Sequence, residues 1–364
     1  MAYLSLSHIS KSFGTQSVLQ HVNLSVDKGE FLVVLGQSGS GKTTLLRLVA
    51  GFEKTDEGTI TLNDRILSSI NHHTPAEKRN MGIVFQDHAL WPHMTVFDNV
   101  AFPLHVQKRS QKEINERVQN TLKDVNMAWA IHKYPHQLSG GEAQRVSLAR
   151  TLIQEPSLII FDEPLASLDA VLRHDIQNVI KSLHVQKKFT ALYITHDQNE
   201  AMRLGHRLAI LHKGGVEQCD TPQKLYHTPK NETVAMLTGN GSTLSLETVK
   251  KALHKTVIPH ESAPILKAIT QNSLLQDSFP PHTRLFFRPE NVRMTLHDAT
   301  PPLTYGKEDI VIHATVKECY FSHGLYHTTV ILLDGKTIHG HATHFLESHT
   351  SVLCMIKGYT LFQD

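Results

Sequence analysis

The sequence is short of long apolar runs. Its apolar stretches are brief, such as Phe31–Leu35 and Leu158–Phe161, well below the roughly 18 residues that cross a bilayer as a helix. Cysteine is scarce: Cys219, Cys319 and Cys354 stand far apart with no metal-ligand spacing. The opening Met1–Phe13 has no basic stretch leading into an apolar run, so no signal peptide is expected. Excess charge is missing too. A net charge of +2 with histidine neutral gives no broad basic field, which speaks against nucleic acid as a partner. No internal repeat is evident. These absences point to a soluble globular protein in a reducing, cytosolic setting.

What is present in excess is histidine, with 26 residues. Most read as scattered over solvated surface. His339, His341, His344 and His349 cluster near the end, and residues two apart on a strand share a face. His339 and His341 could therefore hold a metal together, although only Glu347 lies nearby to help.

A chain of 364 residues exceeds what one core comfortably fills, so two domains are expected. Up to about residue 237, short β-like runs alternate with helix-length amphipathic stretches. Strands are expected at Phe31–Leu35, Met81–Phe85, Leu158–Phe161, Ala191–Thr195 and Arg207–Leu211, and helices at Lys42–Val49, Lys112–Val125 and Ser139–Gln154. Such alternation builds a largely parallel sheet flanked by helices, an α/β fold. A helical interval over about 87–155 interrupts it as a subdomain. Residues 238–281 read as a linker rich in Gly, Ser, Thr and Pro, with one helix at Leu246–Leu253. From 282 to 364 come short strand-like runs at Arg284–Phe287, Ile310–Lys317, His327–Leu333, Ile338–His341 and Val352–Ile356. Asp334-Gly335 is a hairpin signal between two of them. This part reads as a small all-β barrel or sandwich.

The chemistry lies in an ordered set of motifs. In Gly36-Gln37-Ser38-Gly39-Ser40-Gly41-Lys42-Thr43, between a strand and a helix, glycines let successive N–H groups point at phosphate oxygens. Lys42 supplies a point charge for the β and γ phosphates, and the Thr43 hydroxyl can reach Mg²⁺. Asp162 and Glu163 end an apolar strand at the edge where phosphate loops lie. One carboxylate can hold Mg²⁺ through water, and the other can polarise the attacking water.

Leu138-Ser139-Gly140-Gly141-Glu142 is a second Gly-rich loop. Ser139 and Glu142 make a capping box, but a cap does not ask for two glycines, whereas close approach to an anion does. This second loop has no use within the first site. It makes sense if it serves a nucleotide held by another copy. Gln86 and His196 end strands at the same edge; an amide can orient water or a metal, and an imidazole can hydrogen-bond a γ-phosphate. Phe13 is either a core residue or a ring that stacks on a purine.

On these motifs the first 237 or so residues resemble the nucleotide-binding subunit of an ATP-binding cassette (ABC) transporter, a P-loop NTPase fold. The resemblance implies that Gly36 to Thr43, with Thr44, form the Walker A loop that binds ATP. It makes Asp162 and Glu163 the end of the Walker B strand, Glu163 the catalytic base, Gln86 the Q-loop glutamine and His196 the switch histidine. Phe13 becomes the base-stacking aromatic, Ser167-Leu168-Asp169 the D-loop, and Leu138–Glu142 the signature that caps the partner's ATP in a head-to-tail homodimer. Mg²⁺ falls to Thr43, Gln86 and Asp162.

Leu90–Val96 and Tyr134–Gln137 resemble solute importers with separate subunits. The segment with Arg288-Pro289-Glu290 is similar to the small OB-like β-barrel (TOBE) domain appended to importer ATPases. The look is nearest the ferric iron and spermidine/putrescine group, with a slight lean to iron. The resemblance implies ATP and Mg²⁺ as cofactors, transmembrane permease partners, indirectly a solute-binding protein, and a peripheral place on the cytoplasmic face of the inner membrane. Three departures stand out: Glu142 where the family usually has Gln, with Ala143 after it; His206 where it usually has Asp; and the unmatched stretch 238–281. A soluble ABC ATPase acting on ribosomes or DNA is the alternative, but such relatives usually carry two cassettes or a long inserted coiled coil.

Overall fold

The computed structural model describes residues 2–255, 279–280, 282–296, 309–332 and 334–362. They form two compact units, Met1–His227 and Thr228–Asp364, each with its own apolar core.

The first unit opens with antiparallel strands β1 (Leu4–Phe13) and β2 (Gln16–Val26). A register shift between Leu6 and Ile9, with His8 at φ 53°, lets Leu4, Leu6 and Ile9 all reach the core. β3 (Phe31–Leu35) is buried at every position, as an interior parallel strand covered on both faces must be. α1 (Lys42–Ala50) follows, bracketed by Gly41 and Gly51 in left-handed conformation. β4 (Glu57–Leu62), β5 (Arg65–Ser69) and β6 (His72–His73) complete an antiparallel sheet of order β2-β1-β4-β5-β6. No strand is expected before Phe31 from the sequence, and this whole sheet is an addition.

β7 (Met81–Val84) leads into three helices, α2 (Val96–Val106), α3 (Gln111–Asp124) and α4 (Gly140–Leu152). They fill the interval expected to be helical. Each starts on a hydroxyl side chain, Thr95, Ser110 or Ser139, that accepts a backbone N–H of the first turn. β8 (Leu158–Asp162), α5 (Ala170–Lys187), β9 (Ala191–Thr195), α6 (Gln198–Leu204), β10 (Arg207–His212), β11 (Gly215–Asp220) and α7 (Pro222–His227) close the unit. The main sheet has order β11-β10-β3-β9-β8-β7, parallel throughout except for the edge strand β11. All five parallel strands therefore end on one edge, where loops with functional groups gather.

The second unit comprises α8 (Glu232–Thr238), β12 (Ser242–Ser245), α9 (Leu246–Lys255), β13 (Arg284–Phe287), β14 (Val292–Leu296), β15 (Ile310–Ser322), β16 (Leu325–Ile331), β17 (Thr337–Ala342), β18 (Ser351–Ile356) and β19 (Thr360–Phe362). β14-β17-β16-β15-β18 form a closed barrel, and β12-β13-β19 a small separate sheet. Of the two architectures open from sequence, the barrel is the one found. Asp334-Gly335 makes the expected turn between β16 and β17, with Gly335 at φ 82°. Arg288 is buried and donates to the carbonyls of Ala235 (2.9 Å) and Asn240 (3.3 Å) and to the Thr238 hydroxyl (3.2 Å). It thereby ties α8 into this unit, so the division falls ahead of residue 237. Much of the expected linker 238–281 lies outside the described residues. Among the described residues no helix is long and apolar enough to cross a membrane.

Candidate functional site

The first loop sits at the end of central strand β3, between β10 and β9. Lys42 is buried and its Nζ donates to the carbonyls of Gly36 (2.8 Å) and Gln37 (3.1 Å), which curls the loop around its ammonium group. Gly41, at φ 105°, starts α1; a Cβ there would come within 2.7 Å of Leu19 Cδ2. The free amides of the first turn and the helix dipole make this a seat for an anion. A cavity of about 490 Å³ opens here, lined by Gly39, Gly41, Lys42, Thr43 and Thr44 of the loop. Its other wall is Gln16, Ser17, Val18 and Gln20 of β2, with Lys213 and Gly214. Those wall residues escape sequence reasoning, because nothing in their types marks them.

Asp162 and Glu163 stand at the end of β8, the strand beyond β9. Burial, reinforced by the neighbouring Glu163, pushes the Asp162 carboxyl up, and Arg47 and Lys42 only partly oppose this. Burial in turn lowers the Lys42 ammonium, against the pull of Glu163 and Asp162. Glu163 adopts φ 42°, a strained backbone for this residue type, held by its N–H donating to the Ile194 carbonyl (3.0 Å). One Glu163 oxygen lies 3.8 Å from Lys42 Nζ and the other 2.7 Å from His196 Nδ1. Three motifs far apart in sequence thus meet at one carboxylate.

Gln86 is exposed just past β7, on the same sheet edge. Phe13 ends β1, is 45 % exposed and carries Lys11 Nζ over its ring at 5.3 Å; its partner in register is Gln16, a wall residue of the cavity. A core position is therefore excluded for Phe13. Asp169 caps α5, accepting the N–H groups of Val171 (3.0 Å) and Leu172 (2.9 Å).

At the second loop, the capping box expected from sequence is formed. The Ser139 N–H donates to Glu142 Oε2 (2.7 Å), and the Glu142 N–H to Ser139 Oγ (3.3 Å). Ser139 and Gly140 are exposed. Among the described residues no hydrogen bond or ion pair joins Leu138–Glu142 to the Gly36–Thr44 loop of the same chain. Arg150, from the same helix α4, donates to the carbonyls of Ala89 (2.7 Å) and His88 (3.0 Å) and lies over Trp91. It pins the segment after Gln86, another role invisible in sequence.

In the barrel, His339 and His341 do share the outward face of β17, but His339 Nδ1 meets the Thr329 hydroxyl at 3.0 Å. His341 packs edge-on to His327. No group of three metal-ligating side chains occurs among the described residues.

Residues 19–166 match the family described as ABC transporter. The chain is 45% identical over 254 residues to the spermidine/putrescine import ATP-binding protein PotA of Chromobacterium violaceum, covering 70% of this chain and 69% of that one. It is 42% identical over 252 residues to the protein of the same name from Vibrio cholerae, covering 69% and 66%. The lean towards iron finds no support in these relatives, which are named for polyamines. Among solved structures, cbiO1 from Clostridium perfringens, part of the ABC transporter complex cbiONQ, superposes with a TM-score of 0.58 at 26% identity, over 62% of this chain and 91% of its own. An ATP-binding cassette whose dimer was captured with ADP and Pi matches with a TM-score of 0.52 at 33% identity, over 60% and 98%. The fold, the ordered motifs and these likenesses agree: the chain belongs to the ABC transporter family, as an ATP-hydrolysing subunit of the importer type.

Proposed function

We propose that this subunit drives polyamine uptake, by hydrolysing ATP in a head-to-tail homodimer attached to transmembrane permease subunits at the cytoplasmic face of the membrane. A solute-binding protein delivers the polyamine to the permease. The names of the relatives support the solute class. The observation that carries the catalytic reading is the convergence of Lys42 and His196 on Glu163.

In this reading the loop amides and Lys42 hold the β and γ phosphates, with Phe13 against the base and Thr44 at the helix start. Closure of the dimer brings Ser139, Gly140 and Gly141 of the partner copy onto the γ-phosphate. Glu163 accepts a proton from the water that attacks the γ-phosphorus, and the bond to the β-bridging oxygen breaks to leave ADP and phosphate. His196 presents its second ring nitrogen towards the phosphate, oriented by its bond to Glu163. The hydroxyl of Thr43, the carboxylate of Asp162 and the amide oxygen of Gln86 are hard oxygen donors of the kind a divalent cation takes, so these three would hold Mg²⁺, which supplies charge neutralisation at the phosphates when bound. Replacing Glu163 by Gln should leave ATP binding intact and stop turnover; sustained hydrolysis by that variant would refute the role. For the solute, ATPase activity of the reconstituted complex should rise with a spermidine-loaded binding protein and not with a ferric one; the opposite result would sink the polyamine assignment.

A further inference from the structure

One guanidinium joins the D-loop to the loop of the switch histidine. Arg173 lies in the first turn of α5, just after the Asp169 cap. Its Nη2 donates to the Leu168 carbonyl (3.0 Å) and its Nη1 to Asp197 Oδ2 (3.0 Å), while Nε faces Glu200 Oε1 at 3.9 Å. Asp197 directly follows His196, and its other oxygen caps α6 by accepting the Glu200 N–H (3.0 Å). Glu200 is buried and accepts the hydroxyls of Tyr193 and Thr195, each at 2.8 Å. Thr195 immediately precedes His196. Both flanks of the histidine are thus anchored through one network that Arg173 completes.

The same D-loop underlies the second Gly-rich loop. A Cβ at Gly140 would sit 3.3 Å from Leu168 Cδ2, and one at Gly141 3.3 Å from Leu172 Cδ2. Leu168 is buried, and its carbonyl is the one Arg173 holds. A run of neighbouring groups therefore leads from the glycines that would serve the partner's nucleotide, through Leu168 and Arg173, to Asp197 and the His196 that would serve the chain's own nucleotide. An isolated, solvated ion pair would contribute little. This planar fork instead engages acceptors on two separate segments at fixed angles, which sets geometry as well as energy.

We propose that Arg173 is a positioning residue that makes the signature loop and the switch histidine move together, and so couples the two ATP sites of the dimer. This rests on the site reading given above and adds the residue that transmits between sites.

The test uses the full-length protein. Arg173→Met keeps the stem and removes the guanidinium. Its kcat should fall about tenfold or more, and the Hill coefficient for ATP should drop from about 2 towards about 1. Binding of a non-hydrolysable ATP analogue should stay within about twofold of wild type. Arg173→Lys should recover part of kcat, because an ammonium can reach one acceptor but not span both segments. Wild-type kcat and Hill coefficient in Arg173→Met would overturn the proposal; so would a proportional loss of analogue binding, or a wild-type Hill coefficient of one. If Arg173→Met does not fold, Asp197→Asn is read instead. It keeps the α6 cap and weakens the ion pair, so cooperativity should fall, and unchanged cooperativity overturns the idea. Glu163→Gln runs alongside: turnover there defeats the site reading itself, whereas a silent Arg173→Met beside an inactive Glu163→Gln defeats only this inference.

Discussion

The backbone N–H of Phe31, at the head of the central strand, donates to Nδ1 of His206 (3.2 Å), and the His206 N–H returns a bond to the Phe31 carbonyl (2.9 Å). His206 is the residue that stands where Asp is usual in the family. An accepting Nδ1 requires the imidazole to be neutral, with its proton on Nε2. The His206 ring packs at 5.0 Å against His184, which is itself buried against Phe31 and Phe189.

Burial holds His184 below its usual value of 6.5. The folded state therefore takes up a proton less readily than the unfolded chain, so stability is full above about pH 6.5 and is lost as pH falls through the folded value. Replacing His206 by Asp keeps an acceptor for Phe31 and places a negative charge that favours protonated His184. The acid loss should shrink. Urea unfolding of wild type and His206→Asp at pH 7.5, 6 and 5 checks this, and parallel pH slopes would show that the histidine pair is inert.

Arg79 gives a larger effect on stability. It is buried, its guanidinium is pushed down to about 10 by burial, and it donates to the carbonyls of Leu48 and Val49 (2.7 Å each), Thr74 (2.6 Å) and Leu67 (3.4 Å). Leu48 and Val49 belong to the last turn of α1, the helix behind the phosphate loop, so Arg79 satisfies carbonyls the helix cannot. Arg79→Met should cost about 3 kcal/mol or more, at about 1–3 kcal/mol per stranded buried carbonyl. Arg79→Lys should recover only part, lacking the fork. Denaturant midpoints decide; a loss below about 1 kcal/mol for Arg79→Met would contradict the account.

How much of this was legible in sequence depends on how local the signal is. β3, β8 and β9 are continuous apolar runs covered on both faces, and α4 begins with an explicit capping box; these elements announce themselves. The antiparallel sheet does not. In β1 the alternation of Leu4 and Leu6 is broken by the bulge at His8 before Ile9, so no period-2 run survives to be read. The motif residues Lys42, Glu163 and His196 could be named from their types and order, and their meeting at one carboxylate follows from parallel strands ending on one edge. Arg79, Arg150 and Arg173 could not be named. Each acts on backbone carbonyls distant in sequence or on a separate loop, and an arginine in a helix or loop looks like any solvated one until the fold closes around it.

Phe13 supplies a prediction that separates binding from stability. Its ring is exposed on the β1–β2 hairpin, so truncation should leave the unfolding midpoint nearly unchanged. Aromatic stacking on a base contributes about 1–3 kcal/mol, so Phe13→Ala should weaken ATP binding by about fivefold to a hundredfold. Every base has a π face, so GTP should be weakened alongside ATP. Equilibrium titration with both nucleotides tests it. Unaltered ATP affinity would remove Phe13 from the site.

Glu142 carries the last prediction. Its Oε2 accepts the Ser139 N–H, and a carboxylate near a helix N-terminus is favourable, so in the separate subunit it stabilises α4. In the closed dimer proposed above, the same carboxylate would face the phosphates of the partner's ATP, where like charge repels. Glutamine retains a carbonyl oxygen for the Ser139 N–H and loses the charge. Glu142→Gln should therefore unfold within about 0.5 kcal/mol of wild type yet close more readily on ATP. In a Glu163→Gln background that holds ATP without turnover, adding Glu142→Gln should let the dimer form at a severalfold lower nucleotide concentration. The advantage should shrink as salt rises, because screening weakens the repulsion it relieves. Sedimentation at low and high salt measures both effects. Identical ATP dependence of dimerisation at low salt would mean that Glu142 acts only as a helix cap.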